Sequence, residues 1–475
     1  MKGCGVILFP MPFQGHISPM LQLANILHEK GFSISIIHTR FNSPNTSNYP
    51  HFRFYPIPDG VSENYVISPD PVRILAFLKS LNSNCRTPVR DCLTELITTT
   101  SEDEDPIACL VTDVLWYCTQ AVADDLKLPR VVLRTTNVSS FLALVTMPSL
   151  FRKGYLPLQG ILHLLHLSSH TRPDTDFYCL SDSEAENEVP ELPQFRFKDI
   201  SLFKDPECFL EFIDAVVRET KASSGIIYNS CEELEGEFLT KNSNYFPIPV
   251  FLIGPFHKYF PASSSSLLPH DQTCISWLDK QQPKSVIYVS FGSVAAIQET
   301  DFLEVAWGLA NSKQPFLWVV RPGLVHGSKW LELLPDGFQE MVGERGHVVK
   351  WAPQQEVLLH PSTGAFWTHC GWNSTLESLC EGVPMICQPS FGDQKTDARF
   401  ISHVWRVGIH LESKIERGEI DKAIRRLMVE PEGQEMRNRI KLLKEKINLC
   451  LKPGGSSSKS LDNLVSHILS LQSSK

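Results

Sequence analysis

The residues best suited to chemistry lie between positions 351 and 394 of this 475-residue chain. A predicted strand over 364–368 is followed by His369 and Gly371, and a predicted helix begins directly after them. The first turn of a helix offers unpaired backbone amides and the positive end of the helix dipole. His369 and the hydroxyl of Ser374 add donors, and Gly371 lets the backbone approach a ligand closely. This pattern favours a bound diphosphate.

Two further residues extend this pattern toward a nucleotide. Glu377 follows Ser374 by one helical turn, where its carboxylate can accept hydrogen bonds from ribose hydroxyls. Trp351 ends another predicted strand and offers a flat ring for stacking with uracil. Each residue alone also fits a plainer interpretation, either a helix cap or a core tryptophan. Their combination in one short stretch favours a nucleotide site.

His16 and Asp113 form a second candidate set, because each follows a predicted strand in the first third of the chain. In a doubly wound parallel sheet the carboxyl ends of the strands lie at one edge, and ligands bind there. A lone histidine at a strand end is more often structural than catalytic. An aspartate at the same edge changes that expectation, since a carboxylate can orient an imidazole for proton transfer.

Positioning these residues requires a scaffold of alternating strands and helices. The hydrophobic pattern predicts such an alternation in each half of the chain. Residues 6–9, a helix from Ile17 to Leu27 and residues 32–38 form the opening strand, helix and strand. The sequence therefore predicts an α/β fold with two strand-and-helix sandwiches in tandem. The other predicted strands are 52–55, 108–112, 130–133 and 225–229 in the first half and 286–291, 316–321, 347–350, 364–368, 383–387 and 408–411 in the second.

A chain of 475 residues is too long for a single core, so we expect two domains. A stretch rich in proline and serine separates the two sandwiches, which is typical of a linker. The predicted segments are a first domain over 1–245, a linker region over 246–283, a second domain over 284–455 and a C-terminal helix over 456–475 that could pack back on the first domain.

Composition narrows the class of function. A hydrophobic fraction of 42% and a charged fraction of 20% indicate a folded chain, and a net charge of −9 disfavours nucleic acid as a partner. No run of about 18 apolar residues is present, so we expect no membrane span. The 13 cysteines are scattered without CxxC spacing, which favours a reducing, cytoplasmic compartment. We expect a soluble monomer.

The stretch WAPQQEVLLHPSTGAFWTHCGWNSTLESLCEGVPMICQPSFGDQ at 351–394 closely resembles the signature box of plant family 1 UDP-glycosyltransferases. The shared features are the length, the opening WAPQ, the central HCGWNS and the closing DQ. The resemblance covers the whole chain. It implies the GT-B fold, in which two Rossmann-like domains face each other across a cleft. It also implies UDP-glucose as co-substrate, with no other cofactor and no metal.

The resemblance also implies which residues contact the donor. A final glutamine in the box is associated with glucose, so Gln394 indicates UDP-glucose. The implied donor-binding residues are Trp351 and Ala352 at uracil, Gln354 and Glu377 at the ribose, Ser290, Ser293, His369, Asn373 and Ser374 at the pyrophosphate, and Trp372, Asp393 and Gln394 at the sugar.

For catalysis, the resemblance implies that His16 is the general base that deprotonates the acceptor and that Asp113 fixes its tautomer. Attack on the anomeric carbon then inverts its configuration from α to β. The acceptor is expected beside His16, at a largely apolar wall that suits a phenolic or terpenoid compound. The candidate acceptor-binding residues are Phe13, Gln14, Leu115, Trp116, Thr136, Ser140, Leu144 and Gly392.

Several alternatives stay open at the acceptor. Motifs such as SNYPHFRFYPIPDG and TKASSGIIYNS are similar to the branch of steviol-glycoside, cytokinin and N-hydroxypipecolic acid glucosyltransferases. Because those acceptors differ widely, the open alternatives are N-glucosylation of a purine-type acceptor, a hydroxy acid acceptor and another UDP-sugar donor. A non-catalytic sugar-nucleotide-binding protein would keep the box but lose His16 or Asp113. A nicotinamide-dependent oxidoreductase and a serine hydrolase are disfavoured, because GxGxxG and GxSxG motifs are absent.

Overall fold

The computed structural model of the chain describes residues 3–62, 65, 67–68, 70–99, 105–156, 182–201, 206–260, 265–325, 330, 333–412 and 414–473. The chain divides into two units. The first consists of Met1–Phe260 and Cys450–Lys475, and the second of Pro261–Leu449. Each unit contains its own parallel sheet with helices in the connections, as the alternating pattern predicts.

The strands of the first unit are β1 (Cys4–Phe9), β2 (Phe32–Thr39), β3 (Arg53–Ile57), β4 (Ile107–Asp113), β5 (Arg130–Arg134), β6 (Glu188–Val189), β7 (Leu192–Arg196), β8 (Gly225–Tyr228) and β9 (Val250–Leu252). Seven of them form one sheet in the order β3-β2-β1-β4-β5-β8-β9, and β6 pairs with β7 separately. The inner strands β1 and β5 are buried along their whole length, which explains the apolar run in β1 and the three apolar residues of β5 between Arg130 and Arg134.

The helices of the first unit up to Tyr245 follow the connections of its sheet. In the first of them Ile17, Met20 and Leu21 are buried, which confirms the helical spacing that predicted it. These helices are α1 (Gln14–Glu29), α2 (Pro71–Thr99), α3 (Thr119–Asp125), α4 (Val138–Arg152), α5 (Asp182–Ala185), α6 (Pro206–Lys221) and α7 (Glu232–Tyr245).

The second unit contains a six-stranded parallel sheet. Its strands are β10 (Val286–Ser290), β11 (Phe316–Val319), β12 (Gly346–Val349), β13 (Thr363–Thr368), β14 (Met385–Cys387) and β15 (Gly408–His410). They lie in the order β12-β11-β10-β13-β14-β15. The fully buried Trp318 and Trp367 belong to the hydrophobic core of this unit. Its helices are α8 (Thr273–Leu278), α9 (Glu299–Ser312), α10 (Phe338–Val342), α11 (Gln354–Leu359), α12 (Trp372–Glu381), α13 (Gln394–Arg399) and α14 (Arg417–Met428).

Two helices complete the chain, α15 (Pro431–Cys450) and α16 (Ser456–Ser473). The last helix packs on β4 and β9. Its His467 Nε2 lies 2.8 Å from the carbonyl oxygen of Ser224, which precedes β8. The C-terminal helix is therefore part of the first unit.

Every strand predicted from the sequence is observed, with ends shifted by two residues at most. The structure differs at the predicted linker 246–283, because Val250–Leu252 forms the edge strand β9 beside β8. This apolar run is short and has prolines on both sides, so the sequence does not indicate a strand there. Prolines are tolerated in an edge strand. The second unit also ends at Leu449 and not at residue 455. Residues 261–264 of the predicted linker lie outside the described residues.

None of the described helices combines the length and the apolar character that crossing a membrane requires.

Candidate functional site

His16 and Asp113 form a hydrogen-bonded pair in the first unit. Strands β1 and β4 are parallel neighbours, with Phe9 beside Thr112, so the segments that follow them leave the same edge of the sheet. His16 Nδ1 lies 2.6 Å from Asp113 Oδ2. Asp113 is fully buried, whereas 21% of the His16 side chain is exposed. If Nδ1 donates its proton to the carboxylate, Nε2 is left as a proton acceptor.

Asp113 is held in place by the loop that follows β4. Its second oxygen, Oδ1, accepts a hydrogen bond from the backbone amide of Leu115 at 3.0 Å. The Asn82 amide donates to the Leu115 carbonyl, and the buried Arg130 guanidinium donates to the Trp116 carbonyl and to the Thr112 hydroxyl. Both carboxylate oxygens of Asp113 therefore have fixed partners, and the orientation of the imidazole is fixed with them.

One polar contact of this pair was not predicted from the sequence. The hydroxyl of Thr135 lies 3.3 Å from His16 Nδ1. Thr135 follows β5, which is the neighbour of β4 in the sheet. Asp113 was predicted because it follows a predicted strand of the parallel sheet. Thr135 could have been predicted in the same way, from the residues that follow β5.

An aromatic cluster lies beside the imidazole. The ring of Phe13 is 5.7 Å from that of His16 and 6.1 Å from that of Phe77. Tyr65 stacks on Phe77 at 4.8 Å, and Phe41 meets the same ring edge-on at 5.6 Å. Phe41, Tyr65 and Phe77 were not predicted, because three separate segments supply them. The cluster offers flat apolar surface next to the proton acceptor.

Apart from Trp116, the other predicted acceptor residues lie in four places. Gln14 is in the first turn of α1 and donates to Ser18; Leu115 follows β4; and Gly392 is in the second unit. The remaining three lie at α4, with Thr136 just before it, Ser140 in its first turn and Leu144 in its second turn. Among these residues, Phe13 and Leu115 support an acceptor site best, because Phe13 is close in sequence to His16 and Leu115 is close to Asp113.

Trp116 departs from its predicted place in the acceptor wall. Its side chain has no exposed surface, its ring stacks on Phe9 at 4.4 Å, and its indole nitrogen donates to the Pro10 carbonyl at 3.1 Å. A side chain enclosed in this way cannot contact an acceptor without moving. We therefore assign Trp116 to the core that supports the ends of β1 and β4.

In the second unit, three predicted donor residues are joined by direct hydrogen bonds. The amide nitrogen of Gln354 donates to Ser374 Oγ at 2.8 Å and to Glu377 Oε2 at 2.7 Å. Gln355 donates to the other carboxylate oxygen of Glu377 at 2.9 Å, and the Tyr288 hydroxyl donates to Gln354 Oε1. Burial raises the pKa of Glu377, and the two glutamines oppose that rise. The carboxylate is thereby held ready to accept further hydrogen bonds.

Trp351 and Ala352 lie between β12 and α11, close in sequence to this network. The Trp351 indole nitrogen donates to Ser266 Oγ at 3.0 Å, and its backbone carbonyl accepts from Asp271. These contacts fix the plane of a ring that is still partly exposed. Ala352 is buried, so it can offer only backbone atoms to a ligand.

The imidazole of His369 lies between two glycine turns. A Cβ atom added to Gly292 or to Gly371 would approach His369 Nε2 to 2.5 Å, and Gly292 has φ +74°. Larger residues are therefore excluded at both positions. Gly371 is the N-cap of α12 and makes no side-chain cap hydrogen bond, so the positive end of the helix dipole lies at this turn. Ser290, at the end of β10, pairs with Thr368 at the end of β13, so both turns leave one sheet edge.

Arg321 fixes the turn after β10 and was not predicted. Its Nε donates to the Gly292 carbonyl at 3.0 Å, and Nη2 donates to the Ala295 carbonyl. Burial lowers the pKa of Arg321 to about 10, which leaves the guanidinium charged at neutral pH. A charge held by carbonyl groups beside this turn adds to the positive potential that favours an anion.

The predicted sugar contacts lie at the starts of α12 and α13. Trp372 is almost fully buried and packs toward Trp405, so its backbone is the part that can reach a ligand. Asp393 is the N-cap of α13 and remains partly exposed, as does Asn373. Gln394 Oε1 accepts from the amides of Ser390 and Phe391, which leaves its NH₂ group for other partners. Ser293, in the turn after β10, is exposed.

We expect the His369→Gln variant to lose less stability in acid than the wild type. Burial lowers the pKa of His369 to about 4, so the folded state favours the neutral ring. Above about pH 6.5 the ring is neutral in both states. As the pH falls from there toward 4, the unfolded state binds a proton first and the folded state is destabilised. Thermal unfolding from pH 7.5 to pH 4.5 tests this, and equal slopes for both proteins would contradict it.

The family resemblance implies that Gln394 contacts the sugar, so the Gln394→His variant is expected to change donor choice while keeping UDP binding. A histidine ring can replace only one of the two hydrogen bonds that Gln394 accepts, so the turn at Ser390 and Phe391 shifts. The preference for UDP-glucose over UDP-galactose should fall by about tenfold or more. Competition kinetics measure the preference, and calorimetry measures UDP affinity. Gln298→His, at an exposed glutamine of the same unit, is the control. Loss of UDP binding in the Gln394 variant would refute this role.

The chain is similar to known proteins along nearly its whole length. Residues 246–444 match the family described as UDP-glucoronosyl and UDP-glucosyl transferase. The chain is 52% identical to UDP-glycosyltransferase 76B1 of Arabidopsis thaliana, with 98% of each chain covered. It is 49% identical to UDP-glycosyltransferase 76G1 of Stevia rebaudiana, with 98% and 97% covered. Its fold matches a UDP-glucose: anthocyanidin 3-O-glucosyltransferase in complex with UDP at a TM-score of 0.78 and 26% identity, with 98% and 99% covered.

Proposed function

Because the chain belongs to the plant UDP-glycosyltransferases, we propose that it transfers glucose from UDP-glucose to a small apolar plant metabolite and forms a β-glucoside. The chain is thus a glycosyltransferase of the GT-B class that uses a UDP-sugar as co-substrate. The observation that supports catalysis best is the 2.6 Å hydrogen bond between His16 and Asp113, which leaves Nε2 of the partly exposed imidazole as a base when Nδ1 carries the proton.

The proposed first event is removal of a proton from the acceptor hydroxyl by Nε2 of His16. The imidazolium that forms carries its charge next to the buried carboxylate of Asp113, which stabilises it. The acceptor oxygen attacks the anomeric carbon from the side opposite UDP, and the C–O bond to UDP breaks. The configuration at that carbon changes from α to β.

The departing UDP takes up the electron pair of the broken bond as an anion. We assign its stabilisation to the first amides of α12, His369, the serine hydroxyls and the nearby charge of Arg321. The ribose is assigned to Glu377 and Gln354, and uracil to Trp351. No step in this scheme uses a metal, since backbone amides and side-chain donors supply the positive field.

Glucose as the transferred sugar and an apolar acceptor are the finer parts of the proposal. Gln394 at the end of the box supports glucose, and the anthocyanidin enzyme of similar fold is named for the same donor. The aromatic cluster of Phe13, Phe41, Tyr65 and Phe77 supports an acceptor with a flat or fused-ring apolar body. We place the reaction in the cytosol, because the cysteines are numerous, scattered and odd in number.

An acceptor screen tests the proposed function. Purified protein is incubated with UDP-glucose and excess EDTA, together with phenolics, terpenoids, hydroxy acids or purines. Mass spectrometry detects the gain of one hexose, and NMR of the product gives the anomeric configuration. We expect a β-glucoside of a phenolic or terpenoid compound at the same rate with and without the chelator. An α-linked product would refute inversion, and a strict metal requirement would refute the scheme.

A further inference from the structure

Two buried cysteines and one exposed glutamate of the first unit converge at a point that the proposed reaction does not use. The sulfur atoms of Cys231 and Cys450 and a carboxylate oxygen of Glu233 all lie within 4.8 Å of one another. Neither cysteine is in a disulfide, and both side chains are almost completely buried. Within the part of the chain that the structure describes, this is the one such group of potential metal ligands.

The three side chains come from two segments that the fold brings together. Cys231 is the N-cap of α7, and Glu233 lies in the first turn of that helix. Cys450 is the last residue of α15, where the chain returns to the first unit. Cys450 is far from the other two residues in sequence, so only the folded chain shows the cluster.

A second layer of hydroxyl groups orients these ligands. The hydroxyl of Ser456 lies 2.8 Å from each carboxylate oxygen of Glu233. The hydroxyl of Ser457 lies 3.3 Å from Cys450 Sγ and 2.7 Å from the Gly254 carbonyl oxygen. Hydroxyl groups in such positions hold a carboxylate and a thiolate in the orientation that a bound ion needs.

The chemistry of the ligands selects the ion. Two thiolates with one carboxylate are poor partners for Mg²⁺ or Ca²⁺ and suit Zn²⁺. Zinc bonds sulfur at about 2.3 Å and oxygen at about 2.0 Å, which places tetrahedral ligand atoms roughly 3.5 to 3.8 Å apart. None of the observed separations exceeds 4.8 Å, so the ligand atoms would need to move together by roughly 1 Å at most to reach that geometry. Because Glu233 is exposed, an ion can enter from solvent and take water as its fourth ligand.

We propose that Cys231, Glu233 and Cys450 form a structural zinc site that ties the start of α7 to the end of α15. Binding replaces the two thiol protons with one Zn²⁺ and releases those protons to solvent, without oxidation or reduction. The site takes no part in glucosyl transfer. A chelator is therefore expected to lower the thermal stability of the zinc-loaded protein without stopping transfer.

Direct metal titration tests this proposal. The full-length protein is stripped with chelator under reducing conditions and titrated with ZnCl₂ in a calorimeter. We expect a single Zn²⁺ per chain with affinity tighter than micromolar, and a higher melting temperature after loading. Co²⁺ in place of zinc should give the charge-transfer absorption of thiolate ligands. Neither readout depends on a sugar donor or an acceptor, so the result is independent of the proposed function.

Four variants, one of them a control, locate the site. Cys231→Ser and Cys450→Ser should abolish binding, and Cys92→Ser, a partly buried cysteine of α2, should leave it intact. Glu233→Gln leaves the buried sulfurs untouched, so it keeps the test valid if a serine variant does not fold. Its affinity should fall by about tenfold or more. Zinc binding that survives in Cys450→Ser or is unchanged in Glu233→Gln would overturn the proposal. Failure of the reduced wild type to bind zinc would do the same.

Discussion

Replacing His16 with alanine is expected to reduce glucosyl transfer to a hydroxyl acceptor by about a hundredfold or more, the scale on which general bases contribute. The imidazole is the group that accepts the acceptor proton in the proposed scheme, and Asp113 at 2.6 Å is its orienting partner. The residues proposed to bind the donor belong to the second unit, so the affinity for UDP should remain close to that of the wild type. Calorimetry with UDP and steady-state kinetics with a saturating acceptor separate the two quantities.

Matched variants separate loss of the base from general damage. His28→Ala removes the other histidine of α1, which stacks on His51 away from the aspartate, and should retain full turnover. Asp113→Asn keeps the shape of the pair but can hold the wrong tautomer of His16, so turnover should again fall steeply. Normal turnover in His16→Ala would eliminate the dyad as the catalytic pair. A joint loss of UDP affinity and melting temperature would mean that the variant is misfolded.

Replacing Glu377 with alanine is expected to weaken UDP binding by about ten- to a hundredfold, because hydrogen bonds from ribose hydroxyls to a charged acceptor are lost. Two glutamines orient this carboxylate, Gln354 at 2.7 Å and Gln355 at 2.9 Å. Because contacts within the protein already orient the carboxylate, little ordering should accompany binding. Calorimetry with UDP gives the affinity of each protein.

A comparison with 2′-deoxy-UDP makes this second prediction specific. The wild type should prefer UDP to the deoxy analogue, because the analogue lacks the hydroxyl that would bond to Glu377. Glu377→Ala should lose most of that preference, because the variant has no carboxylate for the 2′-hydroxyl of UDP to contact. Glu356→Ala, an exposed glutamate of α11, serves as the control and should behave like the wild type. If Glu377→Ala kept the full preference for UDP, another residue would have to hold the ribose.

Much of the scaffold could be predicted because the information is local. Strands such as β1 and β10 contain apolar runs that end at turn residues, and α1 repeats apolar residues at helical spacing. The pairing of His16 with Asp113 needed one further assumption, that both strand ends share an edge. The adjacency of β1 and β4 satisfies it. Residues that follow parallel strands can therefore be placed relative to one another without knowledge of side-chain packing.

Other features could not be predicted because they depend on contacts between distant segments. Phe41, Tyr65 and Phe77 look like ordinary core aromatics in sequence, and only the path of α2 brings them together. The burial of Trp116 and of Arg321 could not be predicted from the sequence either. Residues that follow a strand have no fixed periodicity, so the sequence does not show which way their side chains face. The edge strand β9 is three residues long, too short to show alternation between prolines.

The return of the chain to the first unit at Cys450 affects the order of folding during synthesis. The second unit is continuous in sequence from Pro261 to Leu449 and can fold as soon as that stretch leaves the ribosome. The first unit cannot be completed until α16 has been made, because this helix covers β4 and β9. Until then the apolar faces of those strands, including the one that ends in Asp113, remain open to chaperones. Shortening the chain at α16 would thus damage the unit translated first and spare the unit translated second.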